Sequence, residues 1–242
     1  VVQCFLVIAG FLAAQAALTG RAVSLRQAVV GRYLRLAPQF VAALLLVLLA
    51  TWWVQPFYRP EWVSEWPSLK DFVAHVFMLQ GVLDVPALSA GAWYVAIDFQ
   101  LYVSFALLMV VLPRTSQTPQ PLAIVCVTAL TGASLWGFNR LSAWDVWALY
   151  FWGAYGLGVL AAWARSSAWA SRLFLLLLCL LTLDMVWDFR ARPTLAAFTA
   201  VALWGWGGSA WLPARLRVIW RLLSDASYAI FLVHFAAVSY TH

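Results

Sequence analysis

Charge is scarce in this chain: only 10% of the 242 residues are Asp, Glu, Lys or Arg, against 65% hydrophobic side chains. A soluble globular domain carries about 25% charged and about 45–50% apolar residues. That balance, with a mean hydropathy of +0.86, excludes a soluble fold and requires an integral membrane protein. Cysteine is nearly as rare. Cys4, Cys126 and Cys179 each lie inside an apolar run, and an odd count without C-x-x-C spacing excludes a disulfide framework and a zinc site. They read as small buried hydrophobes. There is no internal repeat and no low-complexity tract. No signal peptide with a charged start can be drawn either, because the chain opens at Val1 already within an apolar run. The expectation is a fragment of a longer protein.

What is abundant is apolar length. Spanning the hydrocarbon takes about 20 mostly apolar residues, and eight runs approach that: 1–18, 37–54, 93–112, 121–138, 144–163, 172–187, 194–212 and 222–240. The runs do not alternate as barrel strands do, so they predict an all-α, polytopic transmembrane helical bundle, a single domain over 1–242. Sixteen Trp and 15 Phe suit the membrane interfaces. The net charge of +6 comes from basic residues at the ends of the runs, which sets orientation in the bilayer and gives no reason to expect nucleic acid as a partner. One set of loops holds Arg21, Arg26, Arg32, Arg35, Arg114, Arg165, Arg172, Arg215, Arg217 and Arg221. The alternate set holds Arg59, Lys70, Arg140, Arg190 and Arg192. The positive-inside rule places the richer set in the cytoplasm. His242 then lies outside, the loop 55–92 is external, and its segment 70–83 has the spacing of an interfacial amphipathic helix. A chain that begins outside also predicts one further span before Val1.

Ionisable groups inside a span cost roughly 2.5–3.5 kcal/mol each on insertion scales, so each needs a reason. In "GRYLRLAPQF", Arg32 and Arg35 are three apart, on one helical face, just before the second run. They read as snorkelling anchors, or, beside Pro38 and the positive end of a helix, as an anion site suited to phosphate. In "GAWYVAIDFQLYVSF", Asp98 lies five residues into the third run and shares a face with Tyr94 and Tyr102. It is open to a role as base or orienting group, or to a structural pairing. His234 lies at a similar depth, six residues from the outer end of the last run. It is a hydrogen-bonded core histidine or a catalytic one, at a depth that permits contact with Asp98. His75 has no nearby partner in sequence, and Asp184 and Asp188 read as solvated at a helix end.

Four stretches together resemble the acyltransferase-3 family of polytopic bacterial acyltransferases: "FLVIAGFL" (5–12), "RYLRLAP" (32–38), "WYVAIDFQLY" (93–102) and "SYAIFLVH" (227–234). They occur in the family's order and cover nearly the whole chain. Arg32 and Arg35 match its paired arginines, implicated in handling the acyl donor. Asp98 stands where the family has Glu, Trp93, Gln100 and Tyr102 match their counterparts, and His234 matches the terminal histidine. Ala9, Leu101 and Phe231 depart from the usual Ser, Phe and Tyr.

The resemblance implies acyl transfer across the inner (plasma) membrane of a bacterium. A cytoplasmic acyl-CoA, acetyl-CoA above all, is the donor substrate, and no cofactor is expected to be bound. The acceptor is a hydroxyl of an exported or surface glycan or a lipid-linked sugar. Arg32, Arg35, Trp93 and Gln100 are the implied substrate-binding residues; Asp98, Tyr102 and His234 are the implied catalytic ones. The family's basic residue and catalytic histidine belong to a helix expected before Val1, and a further helix is expected after the last run. A transporter or flippase subunit and an inactive truncated relic are the competing readings.

Overall fold

Hydrocarbon offers no water to backbone N–H and C=O groups, so an apolar chain crossing it must satisfy them within each segment. In the computed structural model, which describes residues 2–19, 24–54, 67–89, 91–112 and 119–205, every long element is a helix. These are α1 (Val2–Leu18), α2 (Leu25–Val54), α3 (Leu69–Val76), α4 (Ala92–Val111), α5 (Pro121–Trp136), α6 (Ala148–Ala164), α7 (Ala168–Trp187) and α8 (Ala191–Gly205). Two short 3-10 turns, Phe138–Arg140 and Ser142–Trp144, link α5 to α6. Among the described residues there is no strand, as the unbroken apolar runs require. Among the described residues, four helices are long and apolar enough to cross a membrane: α2, α4, α5 with its following turn, and α7. Helices α1 and α6 are apolar but shorter, at 17 residues each. The expected span 222–240 and the end of 194–212 lie outside the described residues.

The helix starts differ from the apolar runs for a local reason. Ser24 and Gln27 form a reciprocal cap: the Ser24 N–H donates to Gln27 Oε1 (3.1 Å) and the Gln27 N–H to Ser24 Oγ (3.2 Å). This satisfies two orphan donors and starts α2 at Leu25, well before the apolar run at 37. Pro38 is therefore inside the helix, and Arg32 and Arg35 lie two to three turns in. The helix dipole acts only over the first turn, so the expectation that it assists an anion site at these arginines is corrected. Similarly, Ser167 accepts from the Ala170 N–H and opens α7 at Ala168. Gly137 ends α5, and the 3-10 turns delay α6 until Ala148.

The described residues fall into two compact units, one within 1–30 and 97–206, the other within 31–96. In the first, α6 is the centre. Residues 150–164 of α6 are all buried, the pattern of a helix apolar all round with neighbours on every side. Its glycines permit that. A Cβ at Gly158 would overlap the Val7 carbonyl oxygen, and one at Gly10 would overlap that of Tyr155, so α1 and α6 meet backbone to backbone. On another face, Gly153 and Gly156 make room for Ser134 and Thr131 of α5. Hydroxyls inside the helices are spent on the preceding turn, as in Thr131 to the Val127 carbonyl (2.7 Å). Cys179 is exposed on α7, so the expectation that it is buried does not hold.

In the second unit, the segment expected as a helix over 70–83 folds as α3 followed by a turn. A capping box between Ser68 and Asp71 starts α3, and those hydrogen bonds hold the Asp71 carboxyl below the usual range. Met78 has φ 58°, outside helical space, and stops it. Val73 and Phe77 stay exposed, whereas Ala74, His75, Met78 and Gln80 turn inward.

Candidate functional site

Helix α4 carries most of the expected site. Tyr94, Asp98 and Tyr102 recur every four residues, so they share one face. That face points inward: Asp98 is 5% exposed and Tyr94 8%, while Tyr102 is half-buried. A carboxylate so placed is kept from lipid, as its cost there demands. Trp93 is partly exposed and sets its ring edge-on to Tyr94, with centroids 6.2 Å apart. Gln100 is engaged at both ends of its amide: Oε1 accepts from the Ala148 N–H (3.0 Å), and Nε2 reaches the Val146 carbonyl (3.5 Å).

Arg32 and Arg35 occupy successive turns of α2, Arg32 half-buried and Arg35 exposed, while Leu36, Ala37 and Phe40 are buried. Between the arginines, the Tyr33 hydroxyl donates to the Val76 carbonyl at the end of α3 (3.1 Å), and its ring stacks on Phe77 (6.4 Å). The end of α3 thus sits level with the arginine-bearing turns, roughly 31 Å along the axis from the far end of α2 at 1.5 Å per residue. The expectation that sets the 70–83 segment outside and Arg32 and Arg35 in the cytoplasm is therefore corrected: the two lie at the same level. Guanidinium groups on that surface have the planar donor geometry that phosphate oxygens accept in pairs.

Arg32, Arg35 and Trp93 belong to the second unit; Asp98, Gln100 and Tyr102 belong to the first. His234 lies outside the described residues. Two further features escape a reading of the sequence. His75, fully buried, has Nδ1 2.7 Å from the Asp71 carbonyl and takes the Leu88 N–H on Nε2 (3.1 Å). Its second partner is 13 residues away, so no local spacing signals it. The other is an ion cluster at one end of the first unit. Arg140 donates to Asp184 (2.9 Å) and Asp188 (2.8 Å), and Arg190 to Asp184 (2.9 Å) and the Leu135 carbonyl (3.1 Å). The two aspartates are paired in this cluster, not simply solvated.

The whole chain, residues 1–242, matches the family model described as an acyltransferase domain, that of acyltransferase-3. This chain belongs to the acyltransferase-3 family. Neither the curated proteins nor the solved structures include a match to it. Membership makes the protein a membrane acyltransferase, working in a lipid bilayer on an acyl donor and an acceptor. Within an acyltransferase-3 protein, α4 supplies a buried carboxylate and a phenol on one face, and α2 a pair of guanidiniums.

Proposed function

We propose that this acyltransferase is an O-acyltransferase, moving an acetyl group from cytoplasmic acetyl-CoA to a hydroxyl of an exported or surface glycan or a lipid-linked sugar at the inner membrane of a bacterium. The observation that carries the reading is the family match along the entire chain. The paired arginines of α2 support the donor half of it. Their guanidiniums dock the phosphates of the CoA moiety by charge-assisted hydrogen bonds. Trp93 borders the bound substrate. Asp98 and Tyr102, with His234, orient the acceptor hydroxyl and stabilise the charge that develops as the thioester C–S bond gives way to the new ester C–O bond. The hydroxyl proton passes to a base and finally to the CoA thiolate. Asp98 is one methylene shorter than the family's Glu, so it serves a partner held closer to α4.

The test is transfer of label from radioactive acetyl-CoA to envelope glycans in membranes holding the intact protein or its Arg32→Ala/Arg35→Ala variant. Loss of two charge-assisted phosphate contacts predicts an apparent KM for acetyl-CoA raised on the order of 100-fold, with less effect on the maximal rate. Unchanged labelling by a stably inserted double variant returns the arginines to anchoring. No labelling by the intact protein across a broad acceptor panel removes the O-acyltransferase reading.

A further inference from the structure

The start of α6 lies beside the body of α4, not beside its end. Gln100, eight residues into α4, is level with Ala148, the first residue of α6. At 1.5 Å per residue, α6 begins about 12 Å along α4 from the end of α4 at Ala92. The first N–H groups of a helix lack partners in their own helix and must find them elsewhere. Trp147, the residue before α6, has no side-chain hydrogen bond to offer. The Tyr150 N–H closes a turn onto the Trp147 carbonyl (3.1 Å). Ser134 and Asn139 hold the first turn from the side, donating to the Tyr150 carbonyl (3.2 and 3.0 Å), with Ser134 Oγ accepting from the Gly153 N–H (2.8 Å), but neither serves the first N–H groups. The Ala148 N–H is taken by Gln100 Oε1.

Gln100 differs from these other ties because it belongs to the helix of Asp98 and Tyr102. Below it, Phe105 of α4 packs against Tyr155 and Trp163 of α6, with ring centroids 6.1 Å apart in each case. Ring contacts are less directional than a hydrogen bond, so they set the axial position of α4 less sharply. A hydrogen bond to one backbone N–H fixes it. We propose that Gln100 is a positioning residue: by capping the start of α6 from α4, it fixes the height and rotation at which α4 presents Asp98 and Tyr102 for acyl transfer. This rests on the acyl-transfer reading for its catalytic consequence but not for its structural one.

Two variants separate the roles of the carboxamide. Gln100→Glu keeps an acceptor for the Ala148 N–H, favoured further by the positive end of α6. Gln100→Met keeps length and loses the acceptor. With the intact protein in nanodiscs, hydrogen exchange at the Ala148 amide is expected to rise about tenfold in the Met variant and to stay within about twofold of the parent in the Glu variant. In membranes, Met is expected to lower the maximal rate of transfer from acetyl-CoA about tenfold with KM for acetyl-CoA unchanged, and Glu to restore most of the rate. Should Gln100→Met fail to fold, Gln100→Asn, one methylene too short to reach, carries the same expectations. A raised KM at full maximal rate would make Gln100 a substrate contact and overturn the proposal. So would unchanged exchange at Ala148 in the Met variant. If the intact protein transfers no acetyl group, the acyl-transfer reading fails alone, and exchange at Ala148 still decides whether the cap exists.

Discussion

His75 carries its proton on Nδ1. The Asp71 carbonyl can only accept and the Leu88 N–H can only donate, so the two bonds fix a neutral tautomer with Nε2 as acceptor. Burial depresses its pKa below the ordinary imidazole value; the bond to the Asp71 carbonyl and the Asp71 charge oppose this but do not overcome it. A base whose folded pKa is lowered contributes its full stability above its unfolded pKa and loses it as the pH falls below that value. Acidification below about 6.5 is therefore expected to open the 67–89 segment. Protonated Nε2 cannot accept, and the Leu88 N–H is left without a partner, at a cost of about 1–3 kcal/mol. Exchange at the Leu88 amide, corrected for its intrinsic pH dependence, should rise between about pH 7.5 and pH 5.5. His75→Phe should exchange fast at every pH. A flat profile in the parent protein would show that the imidazole is not the clasp. None of this is legible in the sequence, where His75 stands in a loop and its partners are backbone atoms. Asp98 is the opposite case. A carboxylate within an apolar run has to turn inward, and the structure buries it.

At the scale of elements, helices follow from apolar length, but their ends follow from caps. Ser24 with Gln27, and Ser68 with Asp71, are S-x-x-Q and S-x-x-D patterns that stand in plain view in the sequence. The first precedes the apolar run by three turns, so apolar length alone puts Arg32 and Arg35 nearer a helix start than the cap does. Ser24→Ala, which removes one side of that cap, is expected to cost about 1 kcal/mol locally, read as faster exchange at the Gln27 amide with no change beyond Arg35. Helix pairing is less legible, since Gly10 and Gly158 are separated by 148 positions and neither belongs to a repeated motif. Their backbone contact makes a sharp prediction. A methyl group at either glycine meets a carbonyl that belongs to a helix and cannot swing aside. Gly10→Ala and Gly158→Ala are each expected to destabilise the first unit on the order of 3 kcal/mol, seen as a lowered unfolding temperature in detergent. Gly31→Ala, where nothing lies within 4 Å of the added carbon, is the control and should be neutral or slightly stabilising.

At the scale of the whole molecule, orientation rests on the placement of Arg and Lys, ten residues against five, and on which loops lie at the same end of the first unit. The ion cluster bears on the second point. Arg140 follows α5, Asp184 and Asp188 close α7, and Arg190 precedes α8, so their hydrogen bonds bring the 137–147 and 188–190 connections together at one end of the first unit. At the other end of α6, Arg165 lies over the Phe11 ring, 5.9 Å from its centroid, and Ser171 donates to the Ala164 carbonyl (2.7 Å). Helix α6 separates these ends by about 25 Å, close to the thickness of the hydrocarbon core. Two exposed serines report the two faces: Ser142, beside the ion cluster, and Ser166, just past α6. In an otherwise cysteine-free protein made in a bacterial host, Ser142→Cys is expected to react with a membrane-impermeant maleimide applied to intact spheroplasts. Ser166→Cys should react only after the membrane is opened. The reverse pattern would invert the first unit in the bilayer and place its Arg165 end outside. Reaction of both from outside would mean that α6 does not separate the two compartments.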